Sequence, residues 1–104
     1  MHDKYIQGRM HGVQGYLSQV DAHMFSVLMA AQTKDEVKGA LAEIGIFFGR
    51  SYYLMGLHRR PGEALYGADI FIEDHLSKSG SHFDDFMQGA ERLGIAIDAD
   101  TMFR

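Results

Sequence analysis

Apolar residues recur at three- and four-residue steps along most of the chain. Ile6, Met10, Val13, Leu17, Val20, Met24, Val27 and Ala31 alternate these steps without a break. That is the repeat of a helix laying one seam against a neighbour. It predicts a first helix over residues 4–32, which either packs in a bundle or pairs with a second copy. Gly8, Gly12 and Gly15 fall on the opposite face, each costing ~1 kcal/mol relative to alanine. The first turns therefore fray, or a neighbouring backbone lies against the glycines.

The next pattern, residues 37–57, reads as the central element. Val37, Leu41, Ile44, Phe48, Tyr52 and Met55 form one stripe, and Ile46, Tyr53 and Leu57 fall roughly opposite. A helix apolar on two sides is buried between neighbours. Thr33 and Glu36 fit a capping box at its start, and Arg59-Arg60-Pro61-Gly62 ends it. Glu36, Glu43 and Arg50 run between the stripes, and Gly45, Gly49 and Gly56 make a small-residue strip. A third helix is predicted over 63–78, with Leu65, Ala68, Ile72 and Leu76 inward and Tyr66, Ile70 and Phe71 outside that stripe. Gly80 stops it. Ser81 caps a fourth helix with Asp84 and Asp85 in its first turn, and Phe83, Phe86, Met87, Ala90 and Leu93 form its buried stripe. Gly94 stops it, Ile95-Ala96-Ile97 packs on the bundle as an apolar tail, and residues 98–104 form a last short turn. The expected fold is all-α: a four-helix antiparallel bundle with a short C-terminal extension, one domain over residues 1–104.

Composition narrows the function without naming it. A chain of 104 residues, 46% hydrophobic and 23% charged, is globular rather than disordered. It has no cysteine, which excludes disulfides and thiolate zinc sites and agrees with a cytoplasmic location. The N-terminus shows no signal-peptide pattern. Glu43 and Arg50 argue against the central stretch as a membrane span. Charge is unevenly placed: residues 1–62 carry seven Lys/Arg against five Asp/Glu, and residues 63–104 three against nine. An acidic helical face built from Asp69, Glu73, Asp74, Asp84 and Asp85, beside the apolar Tyr66 and Ile70, would suit a protein partner. The leading expectation is a small cytoplasmic adaptor or inhibitor that binds a protein, alone or as a homodimer, and is not an enzyme.

Two alternatives stay open. Arg50, Arg59 and Arg60 form a basic edge that could meet an anion or nucleic acid. The helix after Arg59-Arg60-Pro61-Gly62, however, carries Glu63, Asp69, Glu73 and Asp74, and phosphates would repel it. His75 and His82 lie near acids, with Asp69 and Glu73 four residues apart, so a metal-dependent activity is the other. None of the six histidines shares i, i+3 or i+4 spacing with another, so no metal ligands are assigned. No cofactor is implied. Glu43 and Arg50 are the best candidates for buried charge, yet lie two helical turns apart. Ser51, Ser77, Ser79 and Ser81 have no nucleophile-elbow context. The glycines do not read as a strand–loop–helix phosphate cradle.

Overall fold

Three left-handed backbone positions in five residues decide the architecture: Gly45 (φ 84°), Phe47 (φ 57°) and Gly49 (φ 97°). No α-helix passes through such a run, so the predicted central helix is divided there. Ahead of it, Leu41–Ile44 is a strand, β1; behind it, Arg50–His58 is a helix, α3. The computed structural model describes residues 2–72 and 76–104. Its other elements are α1 (His2–Gln7), α2 (Gln19–Lys34), β2 (Leu65–Ala68), α4 (His82–Arg92) and β3 (Met102–Phe103), with 3-10 turns at Arg9–Gly12 and Ala99–Thr101. The protein is therefore mixed α/β, and the expected all-α helical bundle is wrong.

The three strands form a parallel sheet in the order β1-β2-β3. Leu41 pairs with Leu65 and Ile44 with Ala68; Gly67 pairs with Met102 and Ala68 with Phe103. α3 connects β1 to β2, and α4 lies between β2 and β3 in the chain. Strand periodicity sorts the side chains into two faces. Leu41, Glu43, Leu65, Gly67 and Met102 are buried or half-buried, whereas Ala42, Ile44, Tyr66 and Phe103 are exposed. Parallel sheets are ordinarily covered on both faces; here one face packs on helices and the other is open.

The covered face carries an aromatic core. Tyr52 and Tyr53 of α3 and Phe86 of α4 are fully buried. The Tyr53 and Phe86 rings stack at 5.6 Å, and Tyr52 meets Phe86 edge-on at 5.1 Å. Tyr53 donates its hydroxyl proton to the Phe86 carbonyl at 2.6 Å, so the ring is buried without orphaning its polar end. A Cβ at Gly49 would lie 2.7 Å from both Tyr53 and Phe86. Gly49 is thus required by packing as well as by its backbone.

The predicted first helix is also broken. α1 ends before Gly8, the chain turns through Arg9–Gly12, and Ser18 caps α2 by accepting from the Asp21 N–H at 3.1 Å. Ile6 and Met10 are completely buried, and Val13 and Leu17 pack against the core. Beyond Ser18 the seam turns outward: α2 buries Ala22 and Ser26 and leaves Val20, Met24 and Val27 exposed. Of the three glycines, Gly15 has a packing reason, because the Arg50 stem would lie 2.9 Å from its Cβ. Residues 65–68, expected in a third helix, form β2 because Leu65 and Gly67 alternate inward. α4 forms as its cap and stripe predict, with Ser81 accepting from the Asp84 N–H at 3.2 Å and Phe86 and Ala90 inward. The last turn over 98–104 includes the edge strand β3.

Candidate ligand site at the carboxyl ends of the strands

β1 runs into a five-residue loop, Gly45-Ile46-Phe47-Phe48-Gly49, and the loop runs into α3. β2 ends one residue before Asp69. One Asp69 carboxylate oxygen accepts the N–H groups of Ile46 and Phe47 at 2.5 and 2.7 Å. The other accepts the Phe71 N–H at 2.8 Å. Burial alone would push this carboxyl up. The backbone donors of Phe71, Phe47, Ile46 and Ile70 outweigh burial and hold it below the usual carboxylate range. Phe47 and Phe71 both adopt left-handed conformations, φ 57° and 48°, which is costly for aromatic residues. Asp69 ties down both segments.

Glu43, on the covered face of β1, accepts a close hydrogen bond from Ser51 Oγ in the first turn of α3. Burial raises its pKa, Ser51 partly offsets this, and nearby Asp69 adds to it. Its second oxygen is buried with no hydrogen-bond partner, as is the Tyr52 hydroxyl. Unpaired buried acceptors are uncommon and costly.

Outside the strand ends lies an open cleft of about 390 Å³, lined by Ile44, Gly45, Ala68, Asp69, Ile70, Phe103 and Arg104. Its lining is largely apolar, with one carboxylate and one guanidinium. Arg104 also rests 4.0 Å from the centre of the Phe83 ring. In open α/β sheets, ligands bind outside the carboxyl ends of the strands where the strand order reverses; the order β1-β2-β3 has no such reversal, so this cleft is a candidate on its lining alone. Gly45 and Gly49 frame a strand–loop–helix unit between β1 and α3. It is not a phosphate cradle, because Asp69 already occupies the amides of Ile46 and Phe47.

Of the residues expected to bind a partner, Asp69 and Ile70 line this cleft. Tyr66 faces outward from β2. Asp84 is exposed in the first turn of α4. Asp85 turns toward its own loop, accepting from Ser77 Oγ at 2.8 Å, the Lys78 N–H at 2.7 Å and the Ser79 N–H at 3.0 Å. Glu73, Asp74 and His75 lie outside the described residues. Residues 65–68 being a strand, Tyr66, Asp69 and Ile70 do not lie on a helix with one acidic face.

The basic edge is largely engaged. Arg50 donates to the Leu17 and Val13 carbonyls at 2.9 and 3.0 Å. Arg60 pairs with Glu63 at 3.1 Å and donates to the Val37 carbonyl. Arg59 is exposed. His82 is buried beside the Phe48 ring, at 4.2 Å. Among the described residues no three His, Asp or Glu side chains could hold a metal, and no helix is long and apolar enough to cross a membrane.

The sequence reading missed the loop. Its signal was a three-residue apolar run, Ile46-Phe47-Phe48, framed by Gly45 and Gly49, with an aspartate about twenty residues after the second glycine. No protein-family model matches the chain, and no curated protein matches it either.

Proposed function

We propose that the chain binds a phosphate-free nucleoside cofactor at the carboxyl ends of β1 and β2, and that this cofactor serves group transfer. The observation that carries the reading is the β1–loop–α3–β2 unit closed by Asp69. A carboxylate at the end of the second strand is placed to accept from ribose hydroxyls. Asp69 is held by the backbone N–H groups of Ile46, Phe47, Ile70 and Phe71, so a ribose hydroxyl would share a carboxylate oxygen with one of these donors.

The electrostatics choose among nucleosides. A pyrophosphate needs free loop amides or a lysine. Here Asp69 takes the Ile46 and Phe47 amides, Arg50 is turned to the Val13 and Leu17 carbonyls, and no lysine lies in the loop. Glu43 and Asp69 add negative potential, which favours a neutral or cationic ligand. S-adenosylmethionine, a sulfonium nucleoside, has this chemistry, and methyl transfer is the reaction it supplies. A cytoplasmic setting belongs to the same proposal, since a chain without cysteine needs no oxidising compartment. Protein binding falls to a different surface in this reading, the exposed seam of α2.

Calorimetric titration of the purified chain tests this. S-adenosylmethionine or its demethylated thioether should bind more tightly than ATP or NAD. Asp69→Asn, which keeps the shape and removes the charge, should weaken binding by about tenfold or more. Binding of ATP as strong as that of the sulfonium nucleoside, or no binding of either nucleoside at millimolar concentration, would overturn it.

A further inference from the structure

α2 is turned so that its narrow polar-leaning face is buried and its apolar seam is exposed. Ala22 and Ser26 point inward, while Val20, Met24 and Val27 are 70%, 60% and 68% exposed. Leu28, 60% exposed, flanks them. An exposed cluster of this kind marks an interaction surface. Its spacing says which kind. Val20, Met24, Val27 and Ala31 repeat at four, three and four residues. That is the narrow seam of a two-helix contact, not the wider stripe that a helix buries against a sheet.

We propose that α2 pairs with α2 of a second copy, antiparallel, about a two-fold axis near its middle. A two-fold contact requires a self-complementary patch, and this seam is one. In one register Val20 meets the second copy's Ala31 and Met24 meets the second copy's Val27, with each layer repeated in reverse. Large side chains then oppose smaller ones, and no charge enters the seam. The helix dipoles favour the antiparallel direction. Asp21 lies in the first turn of α2, and Lys34 at the other end is followed at once by Asp35 and Glu36, so side-chain charge adds little. A parallel pair would align the two helix dipoles, whereas an antiparallel pair sets the positive end of each beside the negative end of the other. A standard interface buries about 800 Å² on each partner. Val20, Met24, Val27 and Leu28, each more than half exposed, supply part of that within one helix. This pairing is independent of the nucleoside reading.

The test begins with light scattering and sedimentation equilibrium across a concentration series. A reversible dimer is expected. Val27→Glu at the centre of the seam should raise its dissociation constant about 30-fold or more. The helical circular dichroism should not change, because the position is solvent-facing in the single chain. The chain has no cysteine, so direction can be read by cross-linking. Mixed Val20→Cys and Ala31→Cys proteins should form a disulfide-linked pair, and Val20→Cys alone should not. A monomer at every concentration, a dimer indifferent to Val27→Glu, or efficient Val20→Cys self-linking would each overturn the proposal.

Discussion

The two ends of β2 carry one acid each and use it in opposite ways. Glu63, before the strand, accepts the Arg60 N–H at 2.9 Å and the Gly39 N–H at 3.1 Å, and its charge is matched by the Arg60 guanidinium at 3.1 Å. These N–H donors and the paired guanidinium hold its carboxyl down to about 2. Asp69, after the strand, takes backbone amides and forms no ion pair among the described residues. The backbone beside Glu63 is relaxed apart from Gly62, whereas the loops beside Asp69 hold two aromatic residues with positive φ. A closed, neutralised end is a strut. An end with uncompensated charge and stored strain is built to receive something.

The sharpest break in this contrast is Gly49→Ala. The left-handed backbone and the approach of Tyr53 and Phe86 both oppose a Cβ, and the loss should reach about 3 kcal/mol or more. Chemical denaturation would measure it, and a loss below about 1 kcal/mol would mean the loop relaxes freely. Next comes Asp69→Ala, which strands the amides of Ile46, Phe47 and Phe71. A loss of about 2 kcal/mol is expected, together with loss of nucleoside binding. Glu63→Gln should lower stability by less and leave nucleoside binding intact. If both variants abolish binding equally, the two ends do not differ in role.

Acid titration sharpens the contrast further. His58, the last residue of α3, stacks on His2 at 3.9 Å and contacts Ser26 Oγ at 2.7 Å. Burial, with the neighbouring His2, lowers its pKa from 6.5 to about 4. The unfolded chain therefore binds the extra proton first. His58 contributes stability above pH 6.5 that is lost as pH falls toward 4. Because the ring is only half-buried, the effect is about 1 kcal/mol. Glu63 adds stability above pH 4.5 that is lost toward pH 2. Melting temperatures should fall in two steps, and His58→Gln should remove only the upper one.

What the sequence reveals depends on whether the deciding contact is local. α4 is legible because Ser81, its acidic first turn and the Phe86–Ala90 stripe all lie within the helix. β1 is not. Leu41 and Ile44 fit a helical stripe and a short strand equally well, as short apolar runs do. What settles them is pairing with Leu65 and Ala68, about two dozen residues away. Glu43 stands out as buried charge from its apolar surroundings alone. Asp69 appears as a candidate for a different reason, membership of an acidic helical face. Arg50 reads as an anion ligand, because nothing in the spacing shows that its guanidinium would hold the carbonyls before α2.

The uncovered side of the sheet also bears on how the protein behaves at high concentration. Pairing with β2 uses alternate residues of β1, with Leu41 and Gly45 donating across, so the amides of Ala42 and Ile44 face the open edge. Ile44 is 90% exposed there, with no lysine or proline in the strand as a guard. The same edge is a template on which a stray extended segment can nucleate. Cloudiness and fibre formation should begin at β1, and solubility should improve when Ile44 becomes lysine.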